Sequence, residues 1–200
     1  IIRRLVCERI PRRFGLNPMT DIQVLSPMNK GSSGTVALNA ALQELLNPDA
    51  KMQFRHGERL FKLGDKVMQI TNNYDKGVFN GDMGRICAIN YADKTFSVKF
   101  DSESVRYEFL EADQLTLSYA VTIHKSQGSE FPAVVIPLLT QHFVMLQRNL
   151  LYTGMTRAKR LMVLVGSEKA VGMAVRNSIR EPRYSLLNER LADAFRAEGL

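Results

Sequence analysis

Hydrophobic residues near the start of the chain follow first a strand period and then a helix period. Ile22, Val24 and Leu25 predict a short buried strand, and Pro27 ends it. Over residues 36–46 the apolar positions recur at helical spacing, which predicts a helix that stops before a proline. The leucines of this predicted helix are Leu38, Leu42, Leu45 and Leu46. A strand, a turn and a helix in this order form half of a parallel βαβ unit.

Between residues 51 and 113 the pattern changes to short runs that alternate apolar and polar positions. The runs TFSVKF and SVRYEF alternate most regularly, and GDKVMQI and GRICAIN are two further strand candidates. Turns are predicted at Asn80-Gly81 and at residues 101–103. Roughly four or five short antiparallel strands in this segment predict a small barrel of the SH3-like kind. The barrel is predicted to be an insertion, because α/β patterning resumes after it.

After residue 113 the pattern again predicts the strands and helices of an α/β domain. Strands are predicted over residues 117–123, over residues 133–139 and over the run LMVLVG, which is typical of a fully buried parallel strand. A helix is predicted from about residue 146 to residue 160, despite Gly154 within it. Ser167 is a candidate cap for the next helix. The apolar stripe of a final helix consists of Tyr184, Leu187, Leu191, Ala194 and Phe195.

The composition bounds the class of protein without deciding it. The 200 residues allow one large domain or two small ones, and a hydrophobic fraction of 45% is enough for a buried core. The net charge is +7 and the isoelectric point is near 9.6, which favours polyanionic partners, of which nucleic acid is the commonest. Because many basic domains bind no nucleic acid, the charge leaves both interpretations open.

Several other classes are disfavoured. No apolar run approaches the roughly 18–20 residues that a membrane span needs, so no membrane partner is expected. The basic start lacks a signal-peptide pattern, and Cys7 and Cys87 are too few and too isolated for a disulfide framework or a zinc site. We therefore expect a soluble, cytoplasmic protein without a metal site. Since the chain does not begin with Met, we expect it to be a processed or excised piece of a longer one.

The segment TIHKSQGSEF lies between two predicted parallel strands, where open α/β sheets bind ligands. Gly128 allows a tight turn or the close approach of a ligand, and Glu130 is suited to accept a hydrogen bond from a sugar hydroxyl. The other polar side chains suit phosphate oxygens or base edges. They belong to Thr122, His124, Lys125, Ser126 and Gln127. The alternative interpretation is a polar surface loop that binds no ligand.

The segment LYTGMTRAKR places hydroxyl and basic side chains on its predicted helix. Arg157 is suited to reach a phosphate, since a guanidinium can donate two hydrogen bonds to phosphate oxygens. The alternative is an ordinary basic helix whose charges offset the helix dipole at its C-terminal end. The polar side chains are those of Thr153, Thr156, Arg157, Lys159 and Arg160.

The segment SPMNKGSSG follows the first predicted strand and resembles a phosphate-binding loop. Gly31 and Gly34 predict a flexible loop next to Lys30, and Thr35 is a candidate cap for the helix that follows. The signature Gly-x-x-x-x-Gly-Lys-Ser/Thr is absent from this segment and from the rest of the chain. No apolar strand ends in an Asp-Glu pair either, so the usual magnesium-binding carboxylate is missing as well.

Taken together, these segments resemble the second motor domain of a superfamily 1 DNA helicase of the RecD-like branch, which includes the exodeoxyribonuclease V alpha subunit. VLSPMNKGSSG and LNAALQELLNP resemble the motif IV region, YAVTIHKSQGSEF resembles motif V, and LLYTGMTRAKRLMVLVG resembles motif VI. GDKVMQITNNYDKGVFNGDMGRI resembles the inserted barrel of that family, called domain 2B. The resemblance implies a RecA-like parallel-sheet domain of the P-loop NTPase type, without its own P-loop. This domain 2A would comprise residues 1–50 and 114–200, with domain 2B over residues 51–113.

The resemblance also implies roles for individual residues. Arg157 matches the motif VI arginine that reaches the γ-phosphate and serves catalysis. Gly128 and Glu130 match motif V residues beside the nucleotide, and Lys30 in the motif IV region is assigned to ATP as well. The residues assigned to single-stranded DNA are Thr122, His124, Lys125, Ser126 and, at the barrel turn, Asn80.

The ATP site of this family lies between two RecA-like domains, and this chain resembles the second. The resemblance therefore implies that an N-terminal motor domain binds most of ATP and Mg²⁺, and that this chain alone is inactive as an ATPase. It implies a 5′-to-3′ DNA helicase of the bacterial cytoplasm that acts in DNA repair or recombination, with nuclease or helicase subunits as further partners. The alternative function is a non-catalytic module that binds nucleic acid or protein and retains the helicase fold.

Overall fold

The computed structural model describes residues 1–101, 103–178 and 186–197. Within these ranges the strands are β1 (Ile22–Ser26), β2 (Gln53–His56), β3 (Arg59–Lys62), β4 (Lys66–Gln69), β5 (Met83–Asn90), β6 (Thr95–Lys99), β7 (Ser104–Glu108), β8 (Leu115–Leu117), β9 (Ala120–Thr122), β10 (Phe131–Leu138) and β11 (Ala158–Gly166). The helices are α1 (Ile2–Arg4), which the helical residues Leu5–Arg9 join to α2 (Ile10–Phe14), then α3 (Thr35–Leu46), α4 (Arg148–Met155), α5 (Glu168–Arg176) and α6 (Leu187–Ala197).

Four of these strands form a parallel sheet in the spatial order β11–β10–β1–β9. β1 is buried along its whole length, as predicted, because a central parallel strand is covered on both faces. Its register places Ile22 opposite Ala133 at one end and Ser26 opposite Thr122 at the other. The parallel sheet with helices confirms the predicted α/β class. We call this part of the molecule the parallel-sheet unit.

The strands β2–β8 form the predicted antiparallel insertion, which we call the barrel. Five of them form a sheet in the order β7–β6–β5–β4–β8, and β2 pairs with β3 as a hairpin. The predicted alternation is confirmed, since Phe96, Val98 and Tyr107 lie in one apolar core and are at most 1% exposed. The Phe96 ring lies 4.8 Å from Phe54 and 5.3 Å from Tyr107, measured between ring centroids.

The single strand predicted over residues 117–123 is wrong, because the structure divides this segment into two strands. β8 pairs antiparallel with β4 of the barrel, whereas β9 pairs parallel with β1. The chain passes from the barrel to the parallel-sheet unit between them, at Ser118 and Tyr119. Local sequence does not reveal this break, since each half is mostly apolar and its partner strand is distant in the chain. The domain boundary at residue 113 stays a prediction.

The helix predicted over residues 146–160 is too long at both ends. α4 ends at Met155, the next two residues form a turn, and β11 begins at Ala158. The parallel pairing of Ala158 with Phe131 on β10 outweighs the helix propensity of this segment. Arg157 therefore lies in a turn at the start of a strand and not on a helix.

β11 confirms the strand predicted over LMVLVG, although that strand is not fully buried. Residues 161–165 are partly exposed, because β11 lies at the edge of the parallel sheet. Ser167 caps α5 as predicted, since its side chain accepts a hydrogen bond from the Ala170 N–H at 3.2 Å.

α3 agrees with the predicted helix within one residue, but its cap and its buried face differ. Its N-cap is Gly34 rather than Thr35, whose hydroxyl instead donates to a neighbouring Asn side chain at 2.9 Å. Leu45 is 47% exposed. The buried face includes Asn39 and Gln43 instead, which are 7% and 5% exposed, because hydrogen bonds to distant parts of the chain satisfy their amides.

The apolar stripe predicted for the final helix is exposed at those positions whose side chains the structure describes. Leu191 and Phe195 of α6 are 46% and 54% exposed. Tyr184, the first residue of that stripe, lies outside the described residues, as does Ser102 of the turn predicted after β6. No helix in the described part of the chain has the length and apolar character to cross a membrane.

Candidate functional site

The segment TIHKSQGSEF runs from one end of the parallel sheet to the other. It leaves β9 at Thr122, which lies opposite Ser26 at the carboxyl end of β1. It enters β10 at Phe131, close to Ala133, which lies opposite Ile22 at the amino end of β1. At about 3.3 Å per residue, the two ends of β1 are roughly 13 Å apart. One short loop thus connects two separate ends of the sheet.

At the amino end of the sheet, Arg157 packs against this loop. Its Nη1 donates to the Ser129 carbonyl at 3.0 Å, and its Nε donates to the Thr153 carbonyl at 3.2 Å. The Phe131 N–H donates in turn to the Arg157 carbonyl at 2.8 Å. A guanidinium has five N–H donors, so Arg157 keeps donors for a ligand beyond these two and a third hydrogen bond to Thr156 Oγ1. We call residues 128–131 the amino-end loop.

Gly128 and Glu130 lie beside Arg157 on the amino-end loop. Gly128 has a φ of 85°, which glycine adopts without strain, and nothing lies within 4 Å of the position that a Cβ would occupy. A ligand can therefore approach the backbone closely there. The Glu130 carboxylate is about half exposed and forms a 3.4 Å ion pair with Lys159. Such an exposed pair contributes little, so Glu130 remains accessible to a ligand.

Lys30, the fourth residue assigned to ATP, lies at the opposite end of the sheet. It is exposed in the loop that follows the carboxyl end of β1. Ser33 of that loop is hydrogen bonded to Nε2 of His142, which follows β10, at 2.8 Å. Burial lowers the pKa of His142, and its Nδ1 accepts from the Leu139 N–H at 3.3 Å, so the ring is neutral. The structure does not bring Lys30 together with Arg157, and its ATP role stays a prediction.

Four of the residues assigned to DNA lie at or directly after the carboxyl end of β9. Thr122 is 9% exposed, and its Oγ1 accepts a hydrogen bond from the Lys125 N–H at 3.3 Å. His124 and Lys125 are exposed on a single turn of 3-10 helix. Ser126 is fully buried, and its hydroxyl donates to the Ile123 carbonyl at 2.7 Å. Ser126 therefore stabilises the turn and presents no donor to a ligand, in contrast to its predicted role.

A small cavity of about 120 Å³ opens beside His124, between the loop and α4. Its polar lining includes Gln127, Gln147, Asn149 and Thr153. Sequence reasoning missed Gln147 and Asn149, whose signal is the polar run QRN at the start of α4. Amide side chains can hydrogen bond to phosphate oxygens or base edges, so the cavity extends the group of donors at this end of the sheet.

A larger cleft of about 1050 Å³ separates the barrel from the amino-end loop. The amino-end loop lines one wall of this cleft, and residues 81–85 of the barrel line another. Asn80 directly precedes that second wall, and its N–H donates to Asn72 Oδ1 at 2.9 Å. No hydrogen bond among the described residues links Asn80 to Thr122 or its neighbours, so the structure does not group it with the other residues assigned to DNA.

Two family models match this chain. The model described as the ATP-dependent RecD-like DNA helicase SH3 domain matches residues 38–100. The model described as the UvrD-like helicase C-terminal domain matches residues 117–165. Together they cover most of the barrel, the segment TIHKSQGSEF and Arg157.

Curated relatives match over most of the chain. The ATP-dependent RecD2 DNA helicase of Deinococcus radiodurans is 39% identical over 171 residues, which are 85% of this chain and 23% of that protein. The RecBCD enzyme subunit RecD of Haemophilus influenzae is 30% identical over 172 residues, which are 86% of this chain and 25% of that protein. This chain belongs to the RecD-like helicases. It spans about a quarter of the length of these relatives.

The RecD-like chain also has the fold of a solved helicase. The structure of Pif1 helicase from Bacteroides in complex with ADP-AlF3 and ssDNA has a TM-score of 0.56 at 18% identity, over 98% of this chain and 50% of that one. At this identity the likeness concerns the fold alone. With the match to the SH3 model, it confirms the prediction of a helicase-type α/β domain with an SH3-like insertion.

Three residues of this RecD-like chain suit one edge of a nucleotide. The Arg157 guanidinium and the open backbone at Gly128 suit phosphate oxygens, and the Glu130 carboxylate suits a hydroxyl donor. Among the described residues, no cluster of three or more His, Cys, Asp or Glu side chains is placed to hold a metal ion. The RecD2 relative is ATP-dependent. Which residues of this chain contact ATP stays a prediction.

Proposed function

We propose that this chain is the C-terminal half of an ATP-dependent 5′-to-3′ DNA helicase, in which Arg157 contacts ATP held by another domain. The observation that carries the proposal is the path of residues 123–130. This loop connects the end of the sheet at Arg157 to the end at Thr122, and hydrogen bonds hold it at both. A movement of the loop at one end is therefore transmitted to the other.

At the amino end, Arg157 supplies positive charge to the phosphate that hydrolysis transfers. An N-terminal RecA-like domain holds most of ATP and Mg²⁺, and this chain closes on it. Arg157 then leaves the Ser129 carbonyl and donates two N–H groups to γ-phosphate oxygens. Gly128 allows the loop backbone to approach, and Glu130 accepts a hydrogen bond from the ribose. Arginine fingers of this kind contribute about 10³–10⁵ in rate.

At the carboxyl end, Thr122, His124 and Lys125 contact the backbone of single-stranded DNA. The net charge of +7 supports a polyanionic ligand. Closure at Arg157 shifts the loop and changes this contact, so that each cycle of hydrolysis moves the strand. The direction of movement, 5′-to-3′, rests on membership of the family.

The expected partners follow from the proposal that another domain holds ATP and this chain supplies Arg157. The chain alone hydrolyses no ATP, because the Gly-x-x-x-x-Gly-Lys-Ser/Thr loop that cradles phosphates is not in its sequence. Its first partner is an N-terminal RecA-like domain. The relative from Haemophilus influenzae is a subunit of the RecBCD enzyme, which supports helicase or nuclease subunits as further partners. The setting is DNA repair or recombination in the bacterial cytoplasm.

Arg157→Ala in the full-length protein tests the proposal. We expect ATP-driven unwinding of a duplex with a 5′ single-stranded tail to fall by about 10³–10⁵, because the γ-phosphate loses its guanidinium. Binding of single-stranded DNA is expected to persist. Arg160→Ala is the matched control, because Arg160 is exposed on β11 and forms no hydrogen bond with the amino-end loop among the described contacts.

The outcome separates two classes of function. Unchanged unwinding by Arg157→Ala would overturn the proposal and favour a non-catalytic module that binds nucleic acid or protein. A second measurement is ATP turnover by these 200 residues alone. Turnover above background, in a preparation free of contaminating enzymes, would contradict the dependence on another domain.

A further inference from the structure

The chain crosses between the parallel-sheet unit and the barrel twice, and one buried polar network holds both crossings. The first crossing begins at Asn47, at the end of α3, and the second is at Ser118 and Tyr119, between β8 and β9. Asp65, between β3 and β4 of the barrel, contacts both crossings and is fully buried. A buried carboxylate at this position calls for an explanation.

The Asp65 carboxylate accepts four hydrogen bonds, two on each oxygen. Oδ2 accepts from Gln43 Nε2 at 2.6 Å and from the Lys62 N–H at 2.7 Å. Oδ1 accepts from Asn47 Nδ2 at 2.8 Å and from the Tyr119 hydroxyl at 2.9 Å. Three of the four donors lie on α3, at its end or on the second crossing. Asp65 therefore joins the barrel to the parallel-sheet unit through three side chains.

This network relies on hydrogen bonds from neutral donors rather than on an ion pair. The ion pairs found among the described residues do not include Asp65. Burial and the neighbouring Asp65 carboxylate raise the pKa of Tyr119, so its hydroxyl remains a donor at neutral pH. A buried carboxylate that has only neutral donors relies on each of its hydrogen bonds. A rotation of the barrel against α3 breaks several of them at once, so one relative orientation is favoured.

Two further links hold the second crossing. Gln23 of β1 donates from Nε2 to the Ser118 carbonyl at 3.0 Å and accepts on Oε1 from Lys66 Nζ at 2.7 Å. Asn39 of α3 donates to the Ala120 carbonyl and accepts from the Ala120 N–H, both at 2.8 Å. Lys66 lies on β4, so it adds a direct contact from the barrel to β1.

The same region of the barrel reaches the amino-end loop. Lys66 Nζ lies 5.9 Å from the centroid of the Phe131 ring. Phe131 directly follows Glu130, and its N–H donates to the Arg157 carbonyl at 2.8 Å. Lys66 and the amino-end loop line the same cleft. Lys66 therefore brings the barrel close to the amino-end loop at one side of this cleft.

We propose that Asp65, with Gln43, Asn47 and Tyr119, is a positioning network that holds the barrel and the parallel-sheet unit as one body. The barrel then follows each movement of the amino-end loop, which couples ATP hydrolysis to movement along DNA. Asp65 acts through other residues and is not itself a contact for nucleotide or DNA. We call the rigid connection that this network makes between the two units the joint. The coupling of ATP hydrolysis to DNA movement rests on the proposed function, whereas the joint does not, so the two are tested separately.

The joint is tested by a distance measurement in the 200-residue chain. Spin labels are placed at Ala92→Cys, on an exposed turn of the barrel, and at Lys169→Cys, on an exposed site of α5. Cys7 and Cys87 are replaced by Ser in this background. Double electron–electron resonance then reports the distribution of distances between the two units, and we expect one narrow distribution.

Asp65→Asn is the first variant, because its amide group turns a donor toward the donors that surround it. We expect the distance distribution to broaden roughly twofold or more, as the two units take up several orientations. If Asp65→Asn does not fold, the double variant Gln43→Met/Tyr119→Phe decides, since it removes two donors with little change in volume. Asp93→Asn is the matched control, an exposed carboxylate paired with Arg106, and it should leave the width unchanged. If the distance distribution of the folded Asp65→Asn or double variant is as narrow as that of the unsubstituted chain, the proposal that this network holds the two units together is overturned.

The coupling is tested in the full-length protein by counting ATP molecules hydrolysed per base pair unwound. This ratio does not depend on the folded fraction of the enzyme, so a loss of stability alone leaves it unchanged. In Gln43→Met/Tyr119→Phe we expect the ratio to rise about 2- to 30-fold while DNA-stimulated ATP hydrolysis persists. If the number of ATP molecules hydrolysed per base pair is unchanged although the distance distribution is broadened, the proposal that the network couples ATP hydrolysis to movement along DNA is overturned. If the unsubstituted protein hydrolyses no ATP, the proposed function fails, while the distance measurement still decides on the joint.

Discussion

The parallel-sheet unit and the barrel both bury apolar cores, but they place their polar side chains differently. β1 and most of β10 are buried on both faces, so accessible polar side chains gather where strands end or begin, at His124, Lys125 and Arg157. In the barrel, β6 and β7 alternate buried with more exposed residues, and polar side chains are spread along the outer face. Several donors can therefore converge on one ligand more readily at the ends of the parallel strands.

This difference suggests separate roles for the two regions. Of the residues assigned to ATP or DNA, Asn80 alone lies in the barrel, whose described core is rich in stacked aromatic rings. We expect changes in the barrel core to act mainly on stability and changes at the strand ends to act mainly on activity. Changes at the contact between the regions should affect both.

The largest effect on stability is expected from Phe96→Ala in the barrel core. Phe96 is 1% exposed and its ring packs on Phe54 and Tyr107. Truncation of a buried Phe costs about 3–5 kcal/mol, so the free energy of unfolding measured by urea denaturation should fall by that amount. Phe79→Ala is the matched control, because this ring is 46% exposed, and it should cost less than about 1 kcal/mol. Equal losses in the two variants would mean that the core is assigned wrongly.

A smaller effect concerns Lys66, where the two regions touch. Burial lowers the pKa of Lys66 to about 8, against the opposing attraction of Asp21, from an ordinary value of 10.5. Between these two values the unfolded chain binds more protons than the folded one. The free energy of unfolding should therefore rise as the pH rises from 8 to 10.5, and this contribution is lost as the pH falls back. At about 1.4 kcal/mol per pH unit, the gain is at most roughly 3 kcal/mol.

Lys66→Met isolates this titration from those of other alkaline groups. Urea denaturation of both chains at several values across that range of pH gives the difference in their free energies of unfolding. The unsubstituted chain should gain stability relative to Lys66→Met as the pH rises. A difference that does not change with pH would show that the ammonium is well hydrated and that the barrel and β1 are not closely packed there.

The smallest effect is expected from Ser167→Ala, which tests whether every polar residue at a strand end serves a ligand. Ser167 directly follows β11, but its side chain accepts a hydrogen bond from the Ala170 N–H at the start of α5. Loss of this cap should cost about 1 kcal/mol in urea denaturation and leave unwinding by the full-length protein unchanged. Ser32→Ala, in an exposed loop, is the control and should change stability by less than about 0.5 kcal/mol. A strong loss of unwinding at full stability would place Ser167 in the site.

Much of the fold follows from local periodicity. The alternation that predicts β6 and β7 is confirmed, and α3 begins within one residue of its predicted start. The sequence motifs also assigned Gly128, Glu130 and Arg157 to one ligand, and the structure brings these residues together at one end of the sheet. Each of these inferences depends on residues that are close in sequence or on a short motif.

The failures share a physical cause, which is pairing with distant residues. Ala158 belongs to a strand because Phe131 lies beside it, although its own neighbours favour a helix. Lys30 was assigned to ATP with Arg157 from the motif IV resemblance; parallel pairing places the two residues at opposite ends of the sheet, and the ATP role of Lys30 stays a prediction. Ser126 was counted as a donor for DNA, but the turn buries its hydroxyl.

Periodicity was sufficient to predict an α/β fold with an inserted barrel, and the motifs were sufficient for a resemblance to the RecD-like family, because both signals lie in short segments of the chain. The grouping of residues at each end of the sheet depends instead on strand pairing across the chain, such as that of Ser26 with Thr122. The network around Asp65 is the clearest example of an arrangement that the sequence alone does not predict. Its contact with Tyr119 joins residues 54 positions apart. Isolated amide and hydroxyl side chains form no periodic pattern in the sequence from which this contact could be predicted. Such groups are buried because the folded chain supplies all their hydrogen-bond partners at once.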